Sequence, residues 1–182
     1  MTKRWMVAAA SALALALLTL GTPLPLPGLS NAEVAADGVC EAKPKPARLN
    51  FTLKDATGKP VNLASYKGKI ILLDFWATWC GPCKIEIPGF VDLQTRYGSK
   101  GLQVLGVSVD DTPDKLAPYI SQYKMNYPVL QGLDRDDFVE VAFGPMLGIP
   151  TTFIIGRDGN ICRKFTGMAS KEQFEATIKA LM

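Results

Sequence analysis

Hydrophobic and polar positions along the chain predict two buried strands joined by a helix. Residues 70–75 (IILLDF) and 102–109 (LQVLGVSV) are almost continuous apolar runs, which is typical of strands covered on both faces. The segment between them predicts a helix from Pro82 to Tyr97 that ends at Gly98. This order of strand, helix and strand indicates a βαβ unit.

Shorter patterned segments lie on both sides of this unit. Polar turn residues at 55–58 (DATG) and 156–160 (GRDGN) each predict a hairpin, and Ser170 predicts the N-cap of a last helix. The remaining predicted elements are hairpin strands 51–53 and 61–63, helix 115–124, strand 127–130, helix 138–143, hairpin strands 151–155 and 161–165, and helix 171–181.

The order of these elements predicts an α/β fold with a central sheet and helices on both faces. We expect the sheet to be parallel in its first half and mixed overall, because the last hairpin adds antiparallel strands. The predicted domain spans residues 49–182, and residues 33–48 form a polar, proline-containing arm before it. A chain with 48% hydrophobic and 20% charged residues suits such a globular domain.

The first 32 residues have the composition of an export signal. Lys3 and Arg4 precede an apolar run over residues 5–20, and small residues precede a predicted cut after Ala32. An uncleaved membrane anchor is the alternative, because no charged residue lies between Arg4 and Glu33. Both interpretations place the domain in the periplasm or otherwise outside the cytoplasm.

Composition excludes several kinds of chemistry. The 182 residues include four Cys and no His, so Ser-His-Asp and Cys-His catalysis and His-ligated metals are excluded. The net charge of +3 falls to +1 without the two basic residues of the leader, and no long basic block follows. We therefore expect no binding of nucleic acid.

The clearest chemical motif is Cys80-Gly81-Pro82-Cys83, where the first buried strand meets the helix. Unpaired N–H groups and the helix dipole stabilise a thiolate at a helix N-terminus, which lowers its pKa. Cys80 is therefore predicted as the exposed nucleophile and Cys83 as the buried resolving thiol. An inert disulfide and half of a zinc site are the alternatives, although further zinc ligands at motif spacing are absent from the sequence.

Residues 74–84 (DFWATWCGPCK) resemble the thioredoxin active-site signature. Pro88, residues 149–151 (IPT) and Gly167 fall where thioredoxins have a helix proline, a cis-proline loop and a glycine before the last helix. The first hairpin and the insertion over residues 110–143 resemble the TlpA/ResA-like extracytoplasmic thiol–disulfide oxidoreductases. The resemblance implies a thioredoxin fold with an N-terminal β-hairpin and a central αβ insertion.

The resemblance also assigns two acids to the catalytic site. It implies that Asp74 helps to deprotonate Cys83 and that Glu86 lies beside the active site. Many relatives carry Asn where this chain has Asp74, so either acid is a candidate for the proton transfer. A satisfied core polar group remains the alternative for Asp74, and a solvated helix residue remains the alternative for Glu86.

Substrate-contacting residues follow from the same resemblance: Trp79, Gly81, Pro82, Ile149 and Pro150. A cis bond before Pro150 would present the backbone of Ile149 to a client peptide as an edge strand.

The other two cysteines are Cys40, in the arm, and Cys162, in the last hairpin. Outside the cytoplasm leftover cysteines usually pair, so we expect a structural disulfide between them. A redox relay and free thiols are the alternatives.

The Gly-Pro dipeptide and the missing His predict a reducing or intermediate potential. For this family that implies a membrane thiol transporter as electron donor. The implied clients are cysteine pairs awaiting haem attachment in cytochrome c maturation or copper loading in oxidase assembly.

We expect a monomer without metal or cofactor. A peroxiredoxin-like peroxidase, a copper metallochaperone and a pure binding module are the alternatives, but the P-x-x-x-T-x-x-C setting and the metallochaperone His are absent from the sequence.

Overall fold

The computed structural model describes residues 39–41, 43–133, 135 and 143–182. Its elements are β1 (Lys45–Pro46), β2 (Thr52–Lys54), β3 (Pro60–Asn62), a 3-10 helix (Leu63–Tyr66), β4 (Ile70–Trp76), α1 (Gly81–Tyr97), a 3-10 turn (Gly98–Lys100), β5 (Leu102–Ser108), α2 (Pro113–Tyr123), β6 (Val129–Gln131), β7 (Thr151–Ile155), β8 (Asn160–Thr166) and α3 (Lys171–Ala180).

A six-stranded sheet in the order β1-β8-β7-β4-β5-β6 forms the centre of the domain. The strand β4 is parallel to β5 and antiparallel to β7, and all seven of its residues are buried. The predicted mixed sheet with a parallel first half is therefore confirmed. Because β4 lies in the middle of the sheet, the segment that follows Trp76 starts from a rigid position.

The two faces of the sheet are covered by different elements. Apolar residues of α1, α2 and α3 pack on one face, against alternate residues of β4 such as Leu72. The opposite face is covered by the hairpin of β2 and β3, by the 3-10 helix through Leu63, and by Phe143. The predicted helix over residues 138–143 lies outside the described residues except for Phe143.

The edge strand β1 is an element that the sequence pattern did not predict. Lys45 pairs with Ile161 and Pro46 with Asn160, so the sheet begins before the predicted domain start at residue 49. Both residues of β1 are exposed, so this segment has no alternation of apolar and polar residues from which a strand could be predicted. Proline is tolerated there because an edge strand need not donate every backbone N–H.

The helix ends follow local sequence signals. The helix α3 has a capping box in which Ser170 and Gln173 satisfy each other's backbone N–H groups. The helix α2 ends at Tyr123 and is followed by Lys124 with φ of 52°, where the chain turns toward β6. None of the helices within the described ranges is long and apolar enough to cross a membrane. The predicted leader, residues 1–32, lies outside those ranges.

Candidate active site

Cys80 and Cys83 form a disulfide at the start of α1. Cys80 is the N-cap residue of this 17-residue helix, and its sulfur accepts a hydrogen bond from the Cys83 N–H at 3.2 Å. Pro82 occupies the first turn, where a helix needs no hydrogen bond from its nitrogen. The Cys80 sulfur therefore lies at the positive end of the helix dipole.

The structure corrects the prediction that Cys80 is exposed. In the disulfide-bonded state Cys80 is 3% exposed and Cys83 is fully buried. The Cys80 sulfur is directed toward Cys83, whereas the neighbouring Trp79 is 63% exposed. Gly81 and Pro82 are also exposed. The surface that a client would first touch is thus made by residues beside the sulfurs.

The loop before β7 contains a cis peptide bond between Ile149 and Pro150. The carbonyl oxygen of Pro150 accepts a hydrogen bond from Gly167 N–H at 2.9 Å, and Gly167 has φ of 79°, a conformation that favours glycine. Thr151, the next residue, pairs with Phe75 near the end of β4. This register places the proline loop at the end of the sheet where the Cys80–Cys83 disulfide lies.

Asp74 is buried on β4 and accepts a hydrogen bond from the Thr152 hydroxyl at 3.0 Å. Burial raises the pKa of Asp74 well above its ordinary value, and the negative charge of Glu86 raises it further. A single hydroxyl donor only partly opposes this shift. The surroundings of Asp74 therefore favour its protonated form relative to an exposed carboxyl group.

Glu86 is 5% exposed, so the interpretation as a solvated helix residue is wrong. Its Oε1 accepts a hydrogen bond from Ala169 N–H at 2.7 Å, while its buried Oε2 has no hydrogen-bond partner among the described residues. Burial raises the pKa of Glu86 to about 7, although the Ala169 N–H opposes the shift. Because Glu86 follows Cys83 by one helical turn, the two side chains lie on the same face of α1.

Two acids after β5 hold the loop that leads into Cys80, and sequence reasoning missed this role. Asp111 accepts hydrogen bonds from the Thr78 N–H and hydroxyl, and the carboxylate of Asp110 accepts one from the indole N–H of Trp79. From the sequence we predicted only the following helix, residues 115–124, and assigned no active-site role to these two acids. The strand order could have indicated this role. The loop follows β4 and the two acids follow β5, and the carboxyl ends of parallel neighbouring strands lie side by side.

A second disulfide joins Cys40 to Cys162 at the other end of the sheet. Thr166 pairs with Thr151 near the active site, and Cys162 lies four residues before Thr166 on the same strand, β8. Cys162 and Thr166 are therefore about 13 Å apart along the strand. Direct exchange between the two disulfides within one folded chain would need their sulfurs in contact. Among the described residues no group of three or more Cys, Asp or Glu is arranged to hold a metal ion.

A disulfide-bonded cysteine pair at a helix start, beside a cis-proline loop and two buried acids, is the arrangement of a thiol–disulfide oxidoreductase of the thioredoxin fold. A sequence profile of the AhpC/TSA family matches residues 45–164, and the chain belongs to this family. The predicted fold and enzyme class are confirmed by the similar proteins described next.

Three similar proteins agree with this assignment. The thiol-disulfide oxidoreductase ResA of Bacillus thuringiensis subsp. konkukian is 33% identical over 132 residues, which are 72% of this chain and 75% of that protein. A thioredoxin-family thiol:disulfide interchange protein from Chlorobium tepidum TLS is 34% identical, with a TM-score of 0.69 over 78% of this chain and 98% of its own. The dsbF structure from MTB, in mixed oxidised and reduced forms, is 25% identical, with a TM-score of 0.67 over 75% and 98%.

Proposed function

We propose that this oxidoreductase reduces disulfides of client proteins outside the cytoplasm through Cys80 and Cys83. The observation that supports the proposal is the placement of the Cys80–Cys83 disulfide at the α1 N-terminus, beside the cis Pro150 and the buried Glu86. The Gly-Pro dipeptide between the cysteines, without His, supports a reducing direction.

The reaction uses the two sulfurs in sequence. The Cys80 thiolate attacks one sulfur of the client disulfide, which releases one client thiolate and forms a mixed disulfide. The Cys83 thiol then loses its proton, and its sulfur attacks the Cys80 sulfur. The second client thiolate leaves, both client thiolates end protonated, and the enzyme holds the Cys80–Cys83 disulfide.

Glu86 is the group that accepts the Cys83 proton in this proposal. Its raised pKa of about 7 suits proton exchange near neutral pH. Asp74 is buried, and burial raises its pKa well above its ordinary value. The exposed Trp79, Gly81 and Pro82 contact the client beside the sulfurs. The half-buried Ile149 offers its backbone to the client as an edge strand.

The proposed partners follow from this direction. A reductant outside the cytoplasm needs an electron supply, for which we propose a membrane thiol transporter acting on the monomeric protein. The proposed clients are cysteine pairs that await haem attachment or copper loading. The leader over residues 1–32 and the Cys40–Cys162 disulfide support the extracytoplasmic location, because disulfides persist in oxidising compartments.

Reduction of insulin by dithiothreitol tests the function, with Cys80→Ser against the wild type. We expect the variant to lose all acceleration, while a Cys40→Ser/Cys162→Ser double variant keeps it. Equal rates for Cys80→Ser and the wild type would contradict the proposal. The direction is tested separately by equilibration with glutathione, in which a potential as high as that of the periplasmic oxidants would overturn the reducing assignment.

A thiol peroxidase is the second candidate, because the AhpC/TSA family profile matches this chain. The sequence lacks the P-x-x-x-T-x-x-C setting of a peroxidatic cysteine, and Cys80 is instead the N-cap of a helix that contains its resolving partner. Consumption of hydrogen peroxide by the reduced protein distinguishes the two. We expect a rate no faster than that of an ordinary dithiol.

A further inference from the structure

Asp111 is a buried acid whose hydrogen bonds all come from residues that precede it in the chain, and none comes from the helix α2 that follows it. It is 1% exposed and accepts three hydrogen bonds, from Thr78 N–H at 2.7 Å, Thr78 Oγ1 at 2.6 Å and Ser108 Oγ at 2.6 Å. A buried carboxyl group is costly unless its oxygens are satisfied. These three donors supply that compensation.

The position of Asp111 before α2 does not explain its burial. The N-cap of α2 is Thr112, which makes no side-chain capping hydrogen bond. The Asp111 oxygens are directed instead to the active-site loop, which we define as residues 77–79, and to the last residue of β5. Asp111 thus connects the central sheet to the segment that leads into Cys80.

The active-site loop is short, so fixing one of its residues restricts the next. Cys80 N–H donates to Ala77 O at 3.1 Å, which closes a turn around Thr78. Holding the backbone and the hydroxyl of Thr78 together fixes both its position and its rotation. The Cys80 sulfur is then held in one orientation at the α1 N-terminus. A nucleophilic sulfur at a helix start needs such a fixed orientation toward the N–H groups that stabilise it.

We propose that Asp111 is the positioning residue of the active-site loop: by holding Thr78 it sets the orientation of Cys80 at the start of α1. The inference rests on the redox function of Cys80 and Cys83. It adds a residue outside the sequence motif, in the segment that follows β5, to the groups that determine the behaviour of that pair.

The test compares Asp111→Ala with Asp111→Asn. The Asn amide oxygen accepts the Thr78 N–H, and its amide NH₂ donates to a rotated Thr78 hydroxyl, so Asn preserves the positioning while Ala removes it. We expect Asp111→Ala to slow insulin reduction about tenfold and to shift the glutathione equilibrium constant at least about fivefold. We expect Asp111→Asn to stay within about threefold of the wild type on both readouts.

Asp55 provides a matched control in the first hairpin. It accepts hydrogen bonds from the Thr57 N–H and hydroxyl, the same donor pair, and from Lys59 N–H. Its bridge to Leu130 places it beyond β6, about 14 Å from β4 across the sheet. We expect Asp55→Ala to leave the glutathione equilibrium constant and the reduction rate within about twofold.

Two results would overturn the inference. One is an Asp111→Ala protein that folds and keeps its glutathione equilibrium constant within about twofold of the wild type. The other is an Asp111→Asn protein that is impaired as much as Asp111→Ala.

If Asp111→Ala does not fold, Thr78→Val decides, because it removes only the hydroxyl donor. An unchanged equilibrium constant in Thr78→Val would then refute the inference. Wild-type activity on insulin, measured in the same series, separates these outcomes from failure of the proposed function.

Discussion

The two disulfides of this protein share one covalent bond type but lie in different surroundings. Cys80 and Cys83 are three residues apart at one helix start, and their Cα atoms are 5.3 Å apart. Cys40 and Cys162 are 122 residues apart and join the arm to an inner strand of the sheet. The first pair has buried acids and a cis-proline loop nearby, whereas the second has the backbone pairing of β1 with β8.

This difference teaches that neighbouring groups determine what a disulfide does. A helix terminus stabilises a thiolate, and a buried acid exchanges the proton that a resolving thiol must lose. A bond that closes a long loop restricts the unfolded chain instead. We expect each of the following changes to act on one disulfide and to spare the other.

The largest effect is expected from Cys83→Ala. Without the resolving thiol the mixed disulfide on Cys80 persists, so turnover with insulin falls by at least about 1,000-fold and client proteins remain covalently attached. Non-reducing electrophoresis of extracts detects the adducts. A Cys40→Ala variant frees Cys162. If it traps the same clients to the same extent, the expected difference between the two disulfides is contradicted.

Removing the second disulfide should affect stability and leave the chemistry intact. For Cys40→Ser/Cys162→Ser we expect the free energy of unfolding in urea to fall by about 4 to 5 kcal/mol, because the bond closes a long loop. Insulin reduction at a temperature where the variant is folded should match the wild type. Recovery of both residues as separately alkylated thiols from the oxidised wild type would show that they are not paired in solution.

Glu86 should make stability depend on pH in a direction opposite to that of an ordinary salt-bridged acid. Its pKa is raised from 4.5 to about 7, so the folded state binds the proton more tightly. The contribution of Glu86 to the free energy of unfolding should therefore decline as pH rises from about 4.5 to about 7, by at most about 3 kcal/mol, and then level off. Urea unfolding across this range should show a weaker decline for Glu86→Gln.

Glu175 gives the control for this pH series. Hydrogen bonds from Tyr97, Lys179 and Arg96 lower its pKa to about 2, so its stabilisation is present above pH 4.5 and is lost as pH falls toward 2. Glu175→Gln should leave the decline between pH 4.5 and 7 unchanged. If Glu86→Gln and Glu175→Gln weaken the decline of the free energy of unfolding equally, Glu86 is not the cause of that decline.

The smallest effect is expected at Asp158, in the turn before β8. Asp158 accepts hydrogen bonds from the backbone and side-chain nitrogens of Asn160, near the second disulfide. For Asp158→Asn we expect a stability loss of about 1 kcal/mol or less and a glutathione equilibrium constant within about twofold of the wild type. A larger shift in that constant would indicate that the two ends of the sheet are coupled.

The sequence predicted β4, α1 and the cysteine motif well because each rests on a local pattern. The continuous apolar run of β4 and the Cys-Gly-Pro-Cys spacing are unambiguous over a few residues. The edge strand β1 was missed because Lys45 and Pro46 are exposed and show no apolar periodicity. Its pairing with β8 is set by tertiary contacts that no local pattern records.

The surroundings of the site were less predictable than its motif. Glu86 reads as a surface residue in the sequence, and only the packing of α1 against the segment around Ala169 buries it. Asp111 resembles a helix-start residue because the same residue type serves both purposes. Cys80 is buried in the disulfide-bonded state, and the spacing of the motif alone does not specify that burial.

The arm enters the domain at the end of the sheet opposite the Cys80–Cys83 disulfide, since β1 and Cys40 both meet β8 there. In the proposed reaction the electron donor and the client use the same free end, because both react with the same pair of sulfurs. The proposed partners would then exclude each other sterically, so we expect kinetics of the ping-pong type. Abundant oxidised client would then compete with the donor for docking, and the oxidised enzyme would accumulate when clients are plentiful.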